Sequence, residues 1–461
     1  MPQTRQRHQP ESTVLYTVVR SHLDGFLRSA REQGALPAFI ERTFRAFLKC
    51  GIPEHGFIRV HCGSCGHDDI VAFSCKRRGV CPSCNARAMG DGAAHLVDHV
   101  LPAVPYRQWV VGFPFELNGP LAFQPGLLAA TERIVVDALC RWQKARAGGN
   151  GQVGGIHVRH RFGGSLNLHI HGHVLLMDGV FRKDDDGTLA FTQTAPPRED
   201  ELRTLAETIH RRLLGLMKRR GMLRKDTTSN EEQQLDALAA CGQLALTVGK
   251  RERSGPALAL VDEEEVERPR GGTSARFNDI NVYASSPVDG ADRETLERLC
   301  RYLLRGPLAL HRLKQRPDGM LSYRLKKPDR RGNTVLVLSP QELLARLCSL
   351  IPAPGHPTRK YFGILAGGAK DRKRVVPKPT HRKRGHAHPE QPTTTPTASP
   401  VKWAELLKRV WGLDALECPR CKGRMTAMAV VENREAVARY LAHTGQAAVH
   451  PRAQGPPDVA A

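Results

Sequence analysis

Three histidines stand at alternate positions in the run NLHIHGHVLLMDGVF, Asn167 to Phe181. Successive side chains of a β-strand point to opposite faces, so His169, His171 and His173 share one face and Ile170, Gly172 and Val174 the other. Neutral imidazole is a good metal ligand, and imidazoles two apart on a strand can converge on one cation. The alternative is a solvated polar face on a half-buried strand. Three histidines in register, flanked by Leu and Val, favour a metal site.

A second set of metal-binding residues lies upstream. CGSCGHDDIVAFSCKRRGVCPSC contains two CxxC pairs, Cys62/Cys65 and Cys81/Cys84, with fifteen residues between them. Each pair forms a turn that aims two thiolates at one ion, and the four together predict a closed, structural, tetrahedral zinc site. Cys50, Cys75, His55, His61 and His67 are spare ligands, so a different four, or a second ion, stays open. Such a zinc would organise a small basic module (Lys76, Arg77, Arg78, Arg87) suited to DNA phosphates. LECPRCKG brings one more pair, Cys418/Cys421. One pair cannot fill a site, so it reads as a partial knuckle, with His443 as a candidate companion.

A metal-polarised phosphate needs a nucleophile, either water or a side chain. Of the seven tyrosines, Tyr302 stands out in RETLERLCRYLLRGP. It sits at the edge of a helical stripe of Leu296, Leu299 and Leu303, with Arg298 about one turn before and Arg305 about one turn after. A hydroxyl between two guanidinium groups is where a scissile phosphate could be held and attacked. From pattern alone, an ordinary half-buried boundary residue is the better explanation of Tyr302.

The elements that must position these groups are legible in outline. IHVRHRF and LNLHIHGHVLL read as strands joined by Gly163-Gly164-Ser165, which puts His160 on the strand before the histidine run. RQWVVGFPF, Arg107 to Phe115, reads as a buried strand. Helical periodicity runs from Leu15 to Leu48 with a break at GALP, from Gly126 to Ala145 and from Glu201 to Arg220. Arg293 to Arg305 has Asp292 as N-cap and Gly306-Pro307 as a stop. LSYRLKKP and TVLVLSP read as strands, and QELLARLCSLI as a helix. The acidic stretch at 262–265 reads as an exposed loop. From Gly367 to Pro400 the chain is Lys/Arg-, Pro- and Thr-rich, the signature of a basic linker.

At 461 residues the chain exceeds one ordinary core. Its 69 Lys and Arg against 46 Asp and Glu give a formal net charge of +23, which implies a polyanionic partner, most simply nucleic acid. The polar opening MPQTRQRHQPEST and the lack of a long apolar run predict a soluble chain that is neither secreted nor membrane-spanning. In that compartment twelve cysteines are metal ligands or buried thiols before they are disulfides.

A zinc module, a strand bearing H-x-H and a tyrosine on a downstream helix together resemble the HUH single-strand DNA endonucleases. More closely, the chain resembles the rolling-circle transposases of the insertion sequence ninety-one family. The carrying stretches are CGSCGHDDIVAFSCKRRGVCPSCNAR, AAHLVDHVLPAVPYRQWVVGFPF, RFGGSLNLHIHGHVLLMDGVF, DRETLERLCRYLLRGPLALHRL, SYRLKKPDRRGNTVLVLSPQELLARL and CPRCKG, from about Cys50 to about Tyr440. The resemblance implies a catalytic Mg²⁺ or Mn²⁺ held by the motif histidines and a structural Zn²⁺. It also implies attack by Tyr302 on single-stranded DNA, giving a 5′-phosphotyrosine and a free 3′-OH. The motif histidines carry over as His171 and His173, with His169 beside them and His160 as a candidate third ligand. Gly172 stands where the family usually has a bulky apolar residue, so the registration His169-Ile170-His171 remains open. Some members carry two tyrosines four apart. Here that position is Arg298, which makes this a one-tyrosine variant.

The implied architecture is α+β, an antiparallel palm with packed helices. The expected division is 1–104 for a helical and zinc-binding module and 105–365 for the catalytic domain. A linker at 366–400 and a small segment at 401–461 would follow. The expected partner is DNA, chiefly single-stranded transposon ends and target, in the bacterial cytoplasm at the nucleoid. A homo-oligomer and host replication factors are further candidates. Two other readings use the same residues: an HUH replication initiator or relaxase-like nickase, and a zinc-dependent DNA-binding protein with a dead nuclease site.

Overall fold

The structure, a computed structural model, describes residues 9–32, 34, 36–222, 272–329, 332–355, 357–378 and 416–444. The acidic stretch at 262–265, linker residues 379–400 and residues 401–415 lie outside the described residues.

The chain opens with α1 (Val14–Glu32) and α2 (Ala38–Phe47), followed by the hairpin β1 (Phe57–Cys62) and β2 (Asp68–Ala72), then α3 (Pro82–His99). Next come β3 (Tyr106–Gly112), α4 (Asn118–Phe123), α5 (Pro125–Arg146), β4 (Gly154–Phe162) and β5 (Leu168–Met177). A small hairpin, β6 (Gly179–Lys183) and β7 (Leu189–Gln193), leads to α6 (Glu199–Arg219). After it stand β8 (Gly272–Phe277), β9 (Ile280–Val288) and α7 (Arg293–Leu303). The remainder comprises β10 (Leu313–Gln315), β11 (Leu321–Arg324), β12 (Val335–Leu338), α8 (Pro340–Leu350), β13 (Arg359–Gly363), α9 (Arg372–Val375), β14 (Met425–Val431) and α10 (Arg434–Thr444). The class is α+β, as the resemblance implies.

At the centre lies a six-stranded antiparallel sheet, ordered β13-β4-β5-β3-β9-β8. β5 is interior and buried on both faces, which explains its nearly continuous apolar composition apart from the histidines. Trp109, Val111, Ile170, Val174 and Leu176 point to one side, where α5 and α6 cover them. Ile156, Val158, Leu175 and Met177 point to the other, against α3 and α7. Because the pleat alternates, His171 and His173 fall on the α3/α7 side.

Local chemistry fixes the elements around this sheet. Asp292 caps α7 by accepting from Thr295 N–H at 3.0 Å. Ser339 and Glu342 form a reciprocal capping box on α8. The buried pair Arg107–Asp178, with contacts of 2.8 and 2.9 Å, braces β3 against the turn after β5.

The packing crosses position 104. α1 and α2 share one core with α8 and the β10-β11-β12 sheet, through Leu15, Phe44, Leu321, Tyr323, Leu343 and Leu347. Residues 366–378, read from sequence as the start of the linker, are also built in. Asp371 is buried, accepting from Gln152 at 2.7 Å and pairing with Lys183 and Arg374, each at 3.2 Å. Most unexpectedly, β14 pairs antiparallel with β1, from Phe57↔Val431 to Cys62↔Met425, and makes a third sheet ordered β14-β1-β2. Among the described residues no helix is long and apolar enough to cross a membrane.

Candidate active site and metal centres

His171 and His173 on β5 face His160 on β4, whose Cα partner in the ladder is His171. All three are buried, and a ligand nitrogen from each lies within 4.8 Å of the others. Ring centroids are 4.2 Å apart for His160–His173, 4.9 Å for His171–His173 and 5.2 Å for His160–His171. His169 shares the face but stands outside this group.

Each imidazole is held from behind by one nitrogen. His160 Nε2 donates to the carbonyl of Leu303 at 2.7 Å, and His171 Nδ1 lies 3.3 Å from the carbonyl of His169. The carboxamide of Gln108, fully buried on β3, is 2.9 Å from His173 Nδ1. Its amide nitrogen faces the ring and its Oε1 has no partner among the described residues. The swapped carboxamide is isosteric, lets Oε1 accept from Nδ1–H, and leaves Nε2 as a lone-pair donor. His160 Nδ1 and His173 Nε2 have no hydrogen-bond partner among the described residues. Protein oxygens behind imidazoles whose other nitrogens converge are the arrangement metal-binding histidines adopt.

Electrostatics agree with this geometry. Burial, with Arg305 adding to it against the Leu303 hydrogen bond, pushes His160 down to about 3. Burial, followed by neighbouring imidazoles, drives His171 and His173 well below the ordinary histidine value. All three are therefore neutral near pH 7, the form that binds cations. The donor set fits a divalent ion.

Tyr302, near the C-terminal end of α7, lies against this cluster. Its ring meets His173 edge-on with centroids 6.1 Å apart. The Arg305 guanidinium stacks over the phenol ring, 4.0 Å from its centroid. Arg298 is placed differently: on the exposed side of α7 it binds Glu294 at 3.0 Å and the Thr295 hydroxyl at 2.6 Å. Of the two arginines singled out in the sequence, Arg305 is the one stacked on the tyrosine.

The reverse face of the same strands explains Gly172. A Cβ at that position would stand 2.6 Å from His157 Nε2, so the glycine makes room for an imidazole from β4. Burial holds His157 at about 4, against the pull of Glu132. The buried Glu132 carboxylate on α5 accepts from Arg159 and Lys360 at 2.8 and 2.9 Å, with His157 Nδ1 3.9 Å away.

The cysteines assemble differently from the expected single site. Cys62 and Cys65 do not meet Cys81 and Cys84. Cys81 and Cys84, at the start of α3, join Cys50 and Cys75, while Cys62 and Cys65 join Cys418 and Cys421. The physical reason is the β1-β2 hairpin, which carries its Cys62 end away from the N-terminus of α3. In the first quartet sulfur separations are 3.4 Å for Cys75–Cys84 and 3.6 Å for both Cys50–Cys84 and Cys50–Cys81. A tetrahedral zinc with Zn–S of about 2.3 Å requires sulfurs about 3.8 Å apart, so the quartet is of zinc-binding size. Cys418/Cys421 is thus half of a four-sulfur set and not a lone partial knuckle. His55, His61, His67 and His443 belong to neither quartet; His61 bonds Asp68 at 2.9 Å.

Residues 154–373 match a family model described as "Putative transposase", and residues 18–113 match one described as "Transposase zinc-binding domain". The two segments do not overlap and together exceed half of the 461 residues. The first contains the three histidines and Tyr302, and the second contains Cys50, Cys62, Cys65, Cys75, Cys81 and Cys84. Cys418 and Cys421 fall outside both. No curated protein and no solved structure matches the chain.

Proposed function

We propose that this chain, which belongs to the transposases of the insertion sequence ninety-one family, nicks and rejoins single-stranded DNA at transposon ends through Tyr302. As a family member it is a DNA-processing enzyme with a zinc-binding domain. The finer reading rests on one observation: three neutral imidazoles offer converging nitrogens beside a tyrosine stacked under a guanidinium.

His160, His171 and His173 are the residues that would hold a divalent ion, Mg²⁺ or Mn²⁺. Such an ion supplies Lewis acidity to a scissile phosphate. Gln108 and the Leu303 carbonyl fix the His173 and His160 rings that would hold it. Tyr302 Oη attacks phosphorus, forming the O–P bond of a 5′-phosphotyrosine as the bond to the 3′ oxygen breaks. The phenol proton is lost and the leaving oxygen gains one, giving a free 3′-OH. Arg305 holds positive charge where the phosphate oxygens approach. Rejoining is the same exchange reversed with a new 3′-OH, so no nucleotide cofactor is needed. The net charge of +23 supports phosphate binding along the strand without reading bases.

The test is covalent trapping. Purified protein is mixed with labelled single strands from both genomic flanks, with Mn²⁺ or EDTA, alongside Tyr302→Phe and His171→Ala. A metal-dependent, protease-sensitive adduct that is lost in both variants is expected. An adduct that survives Tyr302→Phe would move the chemistry to another tyrosine. DNA binding with no adduct on any strand would favour a binding protein with a dead nuclease site.

A further inference from the structure

The matched zinc-binding domain contains six cysteines, two short of two four-sulfur sites. The missing two come from the other end of the chain. Cys62 Sγ lies 3.5 Å from Cys421 Sγ, and Cys65 Sγ lies 3.6 Å from Cys418 Sγ, across separations of 359 and 353 residues. Burial of apolar thiols does not explain the meeting, because Cys65 and Cys421 are exposed.

The two turns that present these sulfurs are built alike. In the first, Gly66 N–H donates to the Cys62 carbonyl at 2.9 Å and Cys62 N–H donates to the His67 carbonyl at 2.9 Å. In the second, Lys422 N–H donates to the Cys418 carbonyl at 3.0 Å and Cys418 N–H donates to the Gly423 carbonyl at 2.8 Å. Gly66 and Lys422 hold the same place in each turn, with φ of 71° and 64°. Lysine adopts that left-handed conformation at a cost, so the turn is enforced by what it presents. Two matched knuckles facing one another across a β-ladder are the geometry of a tetrahedral thiolate site.

We propose that Cys62, Cys65, Cys418 and Cys421 hold a second zinc ion, distinct from one at Cys50, Cys75, Cys81 and Cys84, and that this ion latches the C-terminal segment onto the N-terminal module. Beyond the β1–β14 ladder, the protein contact beneath the latch is two small apolar clusters, one of them Val60, Cys62, Cys418 and Met425. The apolar cluster joining α10 to the β1-β2 hairpin has four buried members, Phe57, Ile70, Ala72 and Val437. Most of β14 is exposed. A metal that binds only the docked state shifts the balance toward it. The catalytic residues lie in sequence between the two knuckles, so the latch completes one module from both sides of them.

The experiment is zinc content and fragment retention on the full chain. Two tightly held zinc ions per chain are expected in the wild type and one in Cys418→Ser/Cys421→Ser. In cobalt-substituted protein, the thiolate-to-metal absorption should fall by about half in that variant. A protease site placed between residues 379 and 415 separates misfolding from loss of the latch. After cutting, the fragment carrying residues 416–444 should co-purify with the remainder while zinc is present, and chelator should release it. One zinc in the wild type, two in the double variant, or a fragment that falls away from the zinc-loaded protein would overturn the proposal.

Discussion

His160 Nε2 lies 2.7 Å from the carbonyl oxygen of Leu303, the residue that follows Tyr302. A single imidazole therefore joins the histidine cluster on the sheet to the end of the helix that carries the phenol. The ring's other nitrogen faces the cluster, so orienting the ligand and positioning the tyrosine are one structural problem.

That link sets an order among the histidines. His160→Ala is expected to weaken Mn²⁺ binding by at least about ten- to a hundredfold, since losing even the support behind a ligand costs that much. His169→Ala should bind Mn²⁺ much as the wild type does. Calorimetric titration of both variants checks the ranking, and equal losses would show that His169 is a ligand after all.

The arginines also separate. Removing the stacked cation with Arg305→Ala forfeits an interaction of about 1–2 kcal/mol, roughly a five- to thirtyfold fall in the rate of adduct formation. Arg298→Ala loses two exposed contacts, the pair with Glu294 and the bond to the Thr295 hydroxyl, and should stay near the wild-type rate. Single-turnover kinetics on a labelled strand distinguishes the two.

Gly172 yields a prediction opposite to the family pattern. Installing a bulky apolar residue with Gly172→Val drives a side chain into His157. The overpacking should cost about 1–3 kcal/mol and shift the strand that carries His171 and His173. Pairing it with His157→Ala should recover adduct formation, because space is returned on the same face. A double variant no better than Gly172→Val would show that the glycine serves something other than His157.

Glu132 gives the pH dependence. Burial alone would raise its pKa, but Arg159, His157 and Lys360 outweigh that and hold it below the ordinary value. A carboxylate depressed in the folded state contributes stability that is present above its unfolded pKa, about 4.3. That contribution is lost as pH falls through the folded value. Glu132→Gln leaves half-buried Arg159 without its carboxylate and should destabilise the protein by about 1–3 kcal/mol at pH 7. The gap between variant and wild type should then narrow on acidification. Thermal melts from pH 7 to pH 3 measure it, and parallel curves would mean that the ion cluster is not what stabilises this face.

Three of the six central strands, β3, β4 and β5, and the helices α5, α6 and α7 could be read from sequence, because apolar periodicity and caps are local; β8, β9, β13 and α3 could not. The strand period also placed His171 and His173 on one face. What escaped was non-local. A CxxC pair shows that two thiolates share an ion but not which other pair completes it, so Cys62/Cys65 and Cys81/Cys84 looked like natural partners. Cys50 and Cys75 were visible only as spare ligands. Gln108 was a lone amide in an apolar strand, and the Leu303 carbonyl has no side-chain signature at all. Two histidines in IHVRHRF differ by three positions, an odd number, which sends His157 and His160 to opposite faces.

The β1–β14 ladder also imposes a timetable. Between the emergence of Cys62 and that of Cys421 the ribosome must add 359 residues, roughly 20 to 70 s at ordinary elongation rates. Throughout that interval the nascent module presents an open sheet edge and two unpartnered thiols, while the catalytic body can already collapse. A nascent chain that stops short of the second knuckle therefore has the tyrosine and its histidines but lacks the strand that finishes the module, so integrity at one end reports completion of the other.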